Sequence, residues 1–236
     1  MAILSMFFVT IQGAFSSYQS AILLTLIIIF GIFITFLTTK LLSITFLKGV
    51  PSSFTLELPS YRRPQVIKVI VRSVFDRTLF VLGRAIVVSA PCGIIIWLMS
   101  NISIGDATIL KHCHTFLDPF AQLMGLDGVI LLAFILGLPA NEIVIPIIIM
   151  TYLANGSLME LDSIFEMKEL FIANGWTPLS AVCTMLFSLM HWPCSTTLLT
   201  IKKETGSFKW TALAAALPTV CGVVICMLVA FIWRLF

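Results

Sequence analysis

The sequence predicts an all-α integral membrane protein, a helical bundle that contains a re-entrant hairpin and a broken helix. Three observations predict it. Hydrophobic residues fill 59% of the 236 positions and charged residues 11%, whereas a soluble domain carries roughly a quarter charged residues. Most side chains must therefore face lipid or one another. Apolar runs of the ~20 residues needed to cross a hydrocarbon core recur along the chain. In the C-terminal half, two further runs stop at proline or glycine about half a bilayer in, then resume.

Ala21–Thr39 is the first span, inside an N-terminal segment covering 1–54, and it ends at Lys40. The residues before it carry no basic n-region and no A-x-A site, so the expectation is insertion by this span rather than a cleaved signal. Eight of the fourteen Lys and Arg residues lie from Lys40 to Arg84, against Glu57 and Asp76 alone. The positive-inside rule makes this stretch cytoplasmic. Within it, Lys68, Arg72 and Asp76 recur every four residues among Val66, Ile67, Ile70 and Val74. That spacing suits a basic interfacial helix over 55–78.

The remaining region, 79–236, begins with a span over Leu79–Met99, with Arg84 just inside its start and Pro91-Cys92-Gly93 interrupting its middle. Asn101–Leu126 reads as a loop on the outer side, where Lys111 faces Asp106, Asp118 and, at its edge, Asp127. Its His112-Cys113-His114 triplet reads as solvated, because adjacent residues rarely converge on one ion. The six cysteines form no CxxC pair, so disulfides are not expected.

Gly128 starts a half-length run that stops at Gly137-Leu138-Pro139-Ala140-Asn141-Glu142, and a second half-length run, IVIPIIIMTYL, follows. The two predict a re-entrant hairpin at about 128–153. An acidic stretch with Glu160, Asp162, Glu166 and Glu169 then precedes a broken helix at about 177–201, interrupted at His191-Trp192-Pro193-Cys194. A final span runs over about 211–235 and ends in the interfacial pair Trp233 and Arg234. A hairpin keeps the acidic stretch outside and Lys202, Lys203 and Lys209 inside; a full span reverses them. The charge rule favours the hairpin.

Breaks in hydrocarbon persist only where protein or a water-filled cavity satisfies the freed backbone groups. Paired broken segments are the sequence pointer to a transporter site near midplane. The first break carries Asn141 and Glu142, and a carboxylate inside an apolar segment is costly and by default functional. The second carries His191 and Cys194. Imidazole, thiolate and carboxylate suit a borderline transition metal such as Fe(II) better than Mg(II). Cys194, Glu142, Asn141 and His191 are thus the candidate metal ligands. Pro139, Pro193, Ser195 and Thr196 shape the breaks, and Met150, two helical turns beyond Glu142, could offer a thioether.

The stretches GLPANEIVIPIIIM and HWPCSTTLLTIKKETGSFKW, preceded by LELPSYRRP and RAIVVSAPCGIIIWLMS, resemble the C-terminal half of the ferrous iron transport protein B family. The resemblance runs from about Glu57 onward. It implies a gate-type fold, this chain being the second of two gates. It also implies that Cys194 belongs to an Fe(II) path, with Asn141 and Glu142 at the facing break. Nothing matches G-x-x-x-x-G-K-[ST], the loop that cradles nucleotide phosphates. The resemblance therefore implies GTP use only through a GTPase-bearing N-terminal half, on the same or a separate polypeptide. No permanently bound cofactor is expected. The other expected partners are membrane lipid, small cytosolic accessory proteins of iron uptake and a second copy in a homo-oligomer, with no nucleic acid. The expected location is the prokaryotic plasma membrane, as a multi-pass protein. Three other readings stay open: a gate for an organic solute such as a nucleoside, a non-transporting assembly subunit, and, least favoured, an intramembrane enzyme, for which no HExxH motif is present.

Overall fold

A computed structural model describes residues 14–45, 67–68, 71, 80–105, 107–153 and 164–235. The interfacial helix expected over 55–78 lies, all but three positions, outside the described residues.

Helix α1 (Ala14–Thr45) is 32 residues of nearly unbroken apolar sequence. Its large side chains, including Phe33, Phe36 and Leu41, are exposed, as a lipid-facing helix requires. Helix α2 (Phe80–Asn101) continues through Pro91, so the interruption expected at Pro91-Cys92-Gly93 does not end the helix. A mid-helix proline forfeits one backbone hydrogen bond, which membrane helices tolerate when neighbours re-satisfy the freed carbonyl.

The loop expected over Asn101–Leu126 is also corrected. Two short strands, β1 (Ser103–Ile104) and β2 (Ala107–Thr108), pair antiparallel. Helix α3 (Ile109–Leu123) follows, its N-terminus capped by the Thr108 hydroxyl, which accepts from the Lys111 amide. The helical signal is periodic: Leu110, Leu117, Ala121 and Met124 turn one apolar face inward. Charge alone hid it.

Helix α4 (Gly128–Leu136) leaves α3 at 109°. Asp127 caps it, accepting from the Ile130 amide at 2.7 Å. After the break, one 3₁₀ turn (Asn141–Ile143) leads into α5 (Val144–Leu153). The two arms are antiparallel: the Tyr152 hydroxyl, at the end of α5, donates to Asp127, at the start of α4. At ~1.5 Å per residue the nine- and ten-residue arms reach about 14–15 Å, half of a ~30 Å hydrocarbon core. This is the hairpin, with a mouth at Asp127/Tyr152 and a tip at Gly137–Asn141.

Beyond it come α6 (Ile164–Ala173), α7 (Pro178–Met190), α8 (Ser195–Thr205) and α9 (Phe208–Leu235). Thr177 caps α7 with Pro178 at its first turn, and Gly206 ends α8 at φ 62°, a left-handed cap that glycine adopts without Cβ strain. Helix α9 turns back along α7 and α8. The Cys226 thiol meets the Cys183 carbonyl, and at Gly222 an added Cβ would lie 3.1 Å from the Met190 carbonyl oxygen. Glycine there brings α9 against the end of α7. The hairpin is the centre of the bundle: Ile130, Phe134, Ile147, Ile148 and Met150 are buried with Phe171 and Phe187 around them. Among the described residues, three helices are long and apolar enough to cross a membrane: Ala21–Ile44, Pro178–Thr205 and Phe208–Leu235.

Candidate functional site

Each break has a local cause. Gly137 closes α4 by donating to the Ala133 carbonyl at 2.8 Å. A Cβ on it would sit 2.6 Å from Val144 Cγ2 and 2.9 Å from Ala133 O, so only glycine lets the returning arm fold back here. At the second break, His191 closes α7 through its amide on the Phe187 carbonyl at 2.8 Å, then turns extended. Pro193 disfavours helix for Trp192 before it and has no N–H to give. The Cys194 carbonyl restarts the helix, accepting from Thr197 and Leu198.

The two breaks touch. The Ser195 amide, first in α8, donates to the Leu138 carbonyl at the hairpin tip at 2.9 Å. Each break thereby supplies a partner that continuous helix would have provided, the condition for irregular backbone at membrane depth. The contact falls within the interior of the 28-residue stretch Pro178–Thr205, one hairpin arm away from the mouth.

Around this contact the side chains divide. Cys194 is half-buried at the N-terminus of α8, with Sγ 3.1 Å from both the Thr196 and Thr197 hydroxyls. Pro193, Ser195 and Thr196 are half-buried with it, and Pro139 is buried at the tip. Asn141 and Glu142 project from the tip and are exposed on this chain. His191 is 8% exposed, in contact with the rings of Phe134 and Phe187 at centroid distances of 5.1 and 6.0 Å. Its Nδ1 lies 2.9 Å from the Ser188 carbonyl. Met150 is not at the breaks; it is buried at 1% exposure toward the mouth.

The structure thus joins the two breaks, placing Cys194, His191, Ser195 and Thr196 on one side and Pro139, Asn141 and Glu142 on the other. It does not gather a chelate: among the described residues no three His, Cys, Asp or Glu side chains form a metal-holding group. The arrangement offers isolated side-chain donors and backbone carbonyls.

Sequence reasoning missed two features. One is the Leu138 carbonyl, a backbone group whose exposure depends on the fold of the tip. The other is the mouth, where Trp176 Nε1 donates to the Tyr152 oxygen at 2.7 Å and Tyr152 donates to Asp127. A cavity of about 550 Å³ opens beside it, lined in part by His114, Asp118, Asp127, Met150 and Tyr152. Only Asp127, an N-cap residue ahead of an apolar run, carried a readable signal.

Residues 20–208 match the family model for Gate, described as nucleoside recognition. The chain belongs to the Gate family. Its similarity extends to proteins named Fe(2+) transporter FeoB. That of Staphylococcus aureus (strain COL) is 31% identical over 234 residues, covering 94% of this chain and 33% of the relative. That of Methanocaldococcus jannaschii is 26% identical over 235 residues with the same coverage. That of Leptospira interrogans serovar Lai is 25% identical over 217 residues, covering 81% of this chain and 30% of the relative. The chain spans about a third of the length of the curated relatives it matches. No solved structure matches it.

Proposed function

We propose that this Gate protein is the membrane part of a ferrous iron transporter, in which Fe(II) passes between the hairpin tip and the second break. The observation that carries the reading is the hydrogen bond from Ser195 to the Leu138 carbonyl, which brings two interrupted helices together at the hairpin tip. The names of its relatives support Fe(II) as cargo. Cys194 is the soft ligand. Binding there requires loss of the thiol proton, so passage is coupled to protonation. Asn141 and Glu142 at the tip receive the ion from, or pass it to, the sulfur. The path is gated or driven by a GTPase carried in the part of the relatives that this chain does not span. The protein acts in transport rather than catalysis and resides in the prokaryotic plasma membrane.

The test is Fe(II) uptake in cells expressing the protein in its native gene context. Cys194→Ser is expected to lower uptake by about tenfold or more, since even an outer-shell change at a metal site costs ~10–100-fold. Uptake at the wild-type rate would remove the thiolate from the path. Unchanged uptake in Glu142→Gln would return that carboxylate to a structural role.

A second reading, passage of a nucleoside, is favoured by the description of the family model and by the hydroxyls of Ser195, Thr196 and Thr197 at the break. Competition decides between them: inhibition of uptake by divalent metal ions and not by nucleosides supports the iron path.

A further inference from the structure

Among the described residues, the buried side-chain nitrogen and oxygen atoms with no hydrogen-bond partner are His191 Nε2, Trp192 Nε1 and Ser195 Oγ. All three fall within five consecutive residues at the second break. Buried polar groups are almost always paired, and each exception calls for a cause. A packing histidine would bond through both nitrogens; this one bonds through one only.

The bonded nitrogen fixes the chemistry of the other. A carbonyl oxygen accepts and cannot donate, so Nδ1, 2.9 Å from the Ser188 carbonyl, carries the proton. A second proton on Nε2 would bury an unpaired charged N–H among the rings of Phe134 and Phe187, which is strongly disfavoured. Nε2 is therefore a bare lone pair. This is how metal-ligating histidines are held, with the far N–H donated to a backbone carbonyl and the near nitrogen free to coordinate. Ser195 Oγ adds oxygen lone pairs at the same break. Trp192 Nε1–H cannot touch a cation, but it can donate to a water molecule retained by one.

We propose that His191 Nε2, assisted by Ser195 Oγ, is a cation-facing donor position at the second break, separate from Cys194, that selects borderline transition-metal ions over Mg(II) and Ca(II). Neutral imidazole nitrogen suits Fe(II) and its neighbours Co(II) and Ni(II), whereas carboxylate and water oxygens suit Mg(II), Ca(II) and Mn(II). This proposal rests on the reading of the two breaks as an ion path.

The experiment uses the protein in its native assembly, in lipid nanodiscs, with Co(II) as both the optical and the magnetic probe. The expected result has two parts. Co(II) binds with a near-ultraviolet thiolate band, and His191→Gln weakens that binding about tenfold or more without abolishing the band or changing Mg(II) affinity. In chain labelled with ¹⁵N-histidine and carrying His112→Gln and His114→Gln, low-temperature pulsed EPR of bound Co(II) shows coupling to an imidazole nitrogen. The second measurement keeps His191 in place, so it decides even if His191→Gln fails to fold. A thiolate band with Co(II) affinity unchanged in His191→Gln, or bound Co(II) without nitrogen coupling, overturns the role of His191 and leaves the ion path standing. Absence of any Co(II) binding or thiolate band overturns the ion path itself, and His191 with it.

Discussion

Gly137 is where one missing methyl group decides whether the tip exists. An alanine Cβ there would stand 2.6 Å from Val144 Cγ2 and 2.9 Å from the Ala133 carbonyl oxygen, both inside ordinary contact distance. Overpacking of this kind costs about 1–3 kcal/mol. Gly137→Ala is therefore expected to lower the thermal stability of the detergent-solubilised protein and to weaken any metal binding at the breaks together. Adding Val144→Ala removes the closer of the two clashes and should recover part of the loss. If the single variant unfolds at the wild-type temperature, the tip is looser than its geometry states. The GLPANE string showed that the helix must stop here. It did not show that the Leu138 carbonyl would be the group presented to Ser195, because a carbonyl's direction is set by the turn and not by residue type.

At the scale of an element, the hairpin stands on its mouth as much as its tip. Trp176 Nε1 donates to the Tyr152 oxygen, and the Tyr152 hydroxyl donates to Asp127, which also caps α4 through the Ile130 amide. One phenol thus ties the open ends of both arms to the start of the broken helix. Tyr152→Phe keeps the ring and removes both bonds, leaving a half-buried carboxylate oxygen short of a partner, at a cost of about 1–3 kcal/mol. The expected readout is faster hydrogen exchange at the first amides of α4, with those of α9 unaffected; uniform exchange across the bundle would mean global loosening instead. This cluster was not legible in the sequence, since its members lie 24 and 25 residues apart and only chain reversal brings them together. The hairpin arms and the broken helix were legible, because length and proline placement dictate them locally. Helix α3 shows the opposite failure: its apolar period was present, but the charges of Lys111, Asp118 and Asp127 drew it into a loop reading.

The whole molecule has two ends that the chain itself defines. Arg234, at the end of α9, donates to the Gln122 carbonyl at the end of α3, beside the mouth at Asp127 and Tyr152. The start of α7 lies at the same end, since Leu179 and Ala230 both come within contact distance of a Cβ at Gly125. The opposite end carries the turn from α8 to α9 with Lys202, Lys203 and Lys209. By the positive-inside rule we propose that this end is cytoplasmic, which puts the mouth, Lys111, Glu166 and the end of α9 on the other face, with the hairpin entering and leaving there. Helix α2, 22 residues and about 33 Å long, is long enough to carry the chain from the basic stretch before it to that face. A membrane-impermeant amine reagent applied to intact spheroplasts is therefore expected to modify Lys111 and spare Lys203 and Lys209, and inverted vesicles should reverse the pattern. If the hairpin were instead a full span, Lys111 and Lys209 would lie on one face and react together, and the half-bilayer depth of the contact between Ser195 and Leu138 would have no geometric basis.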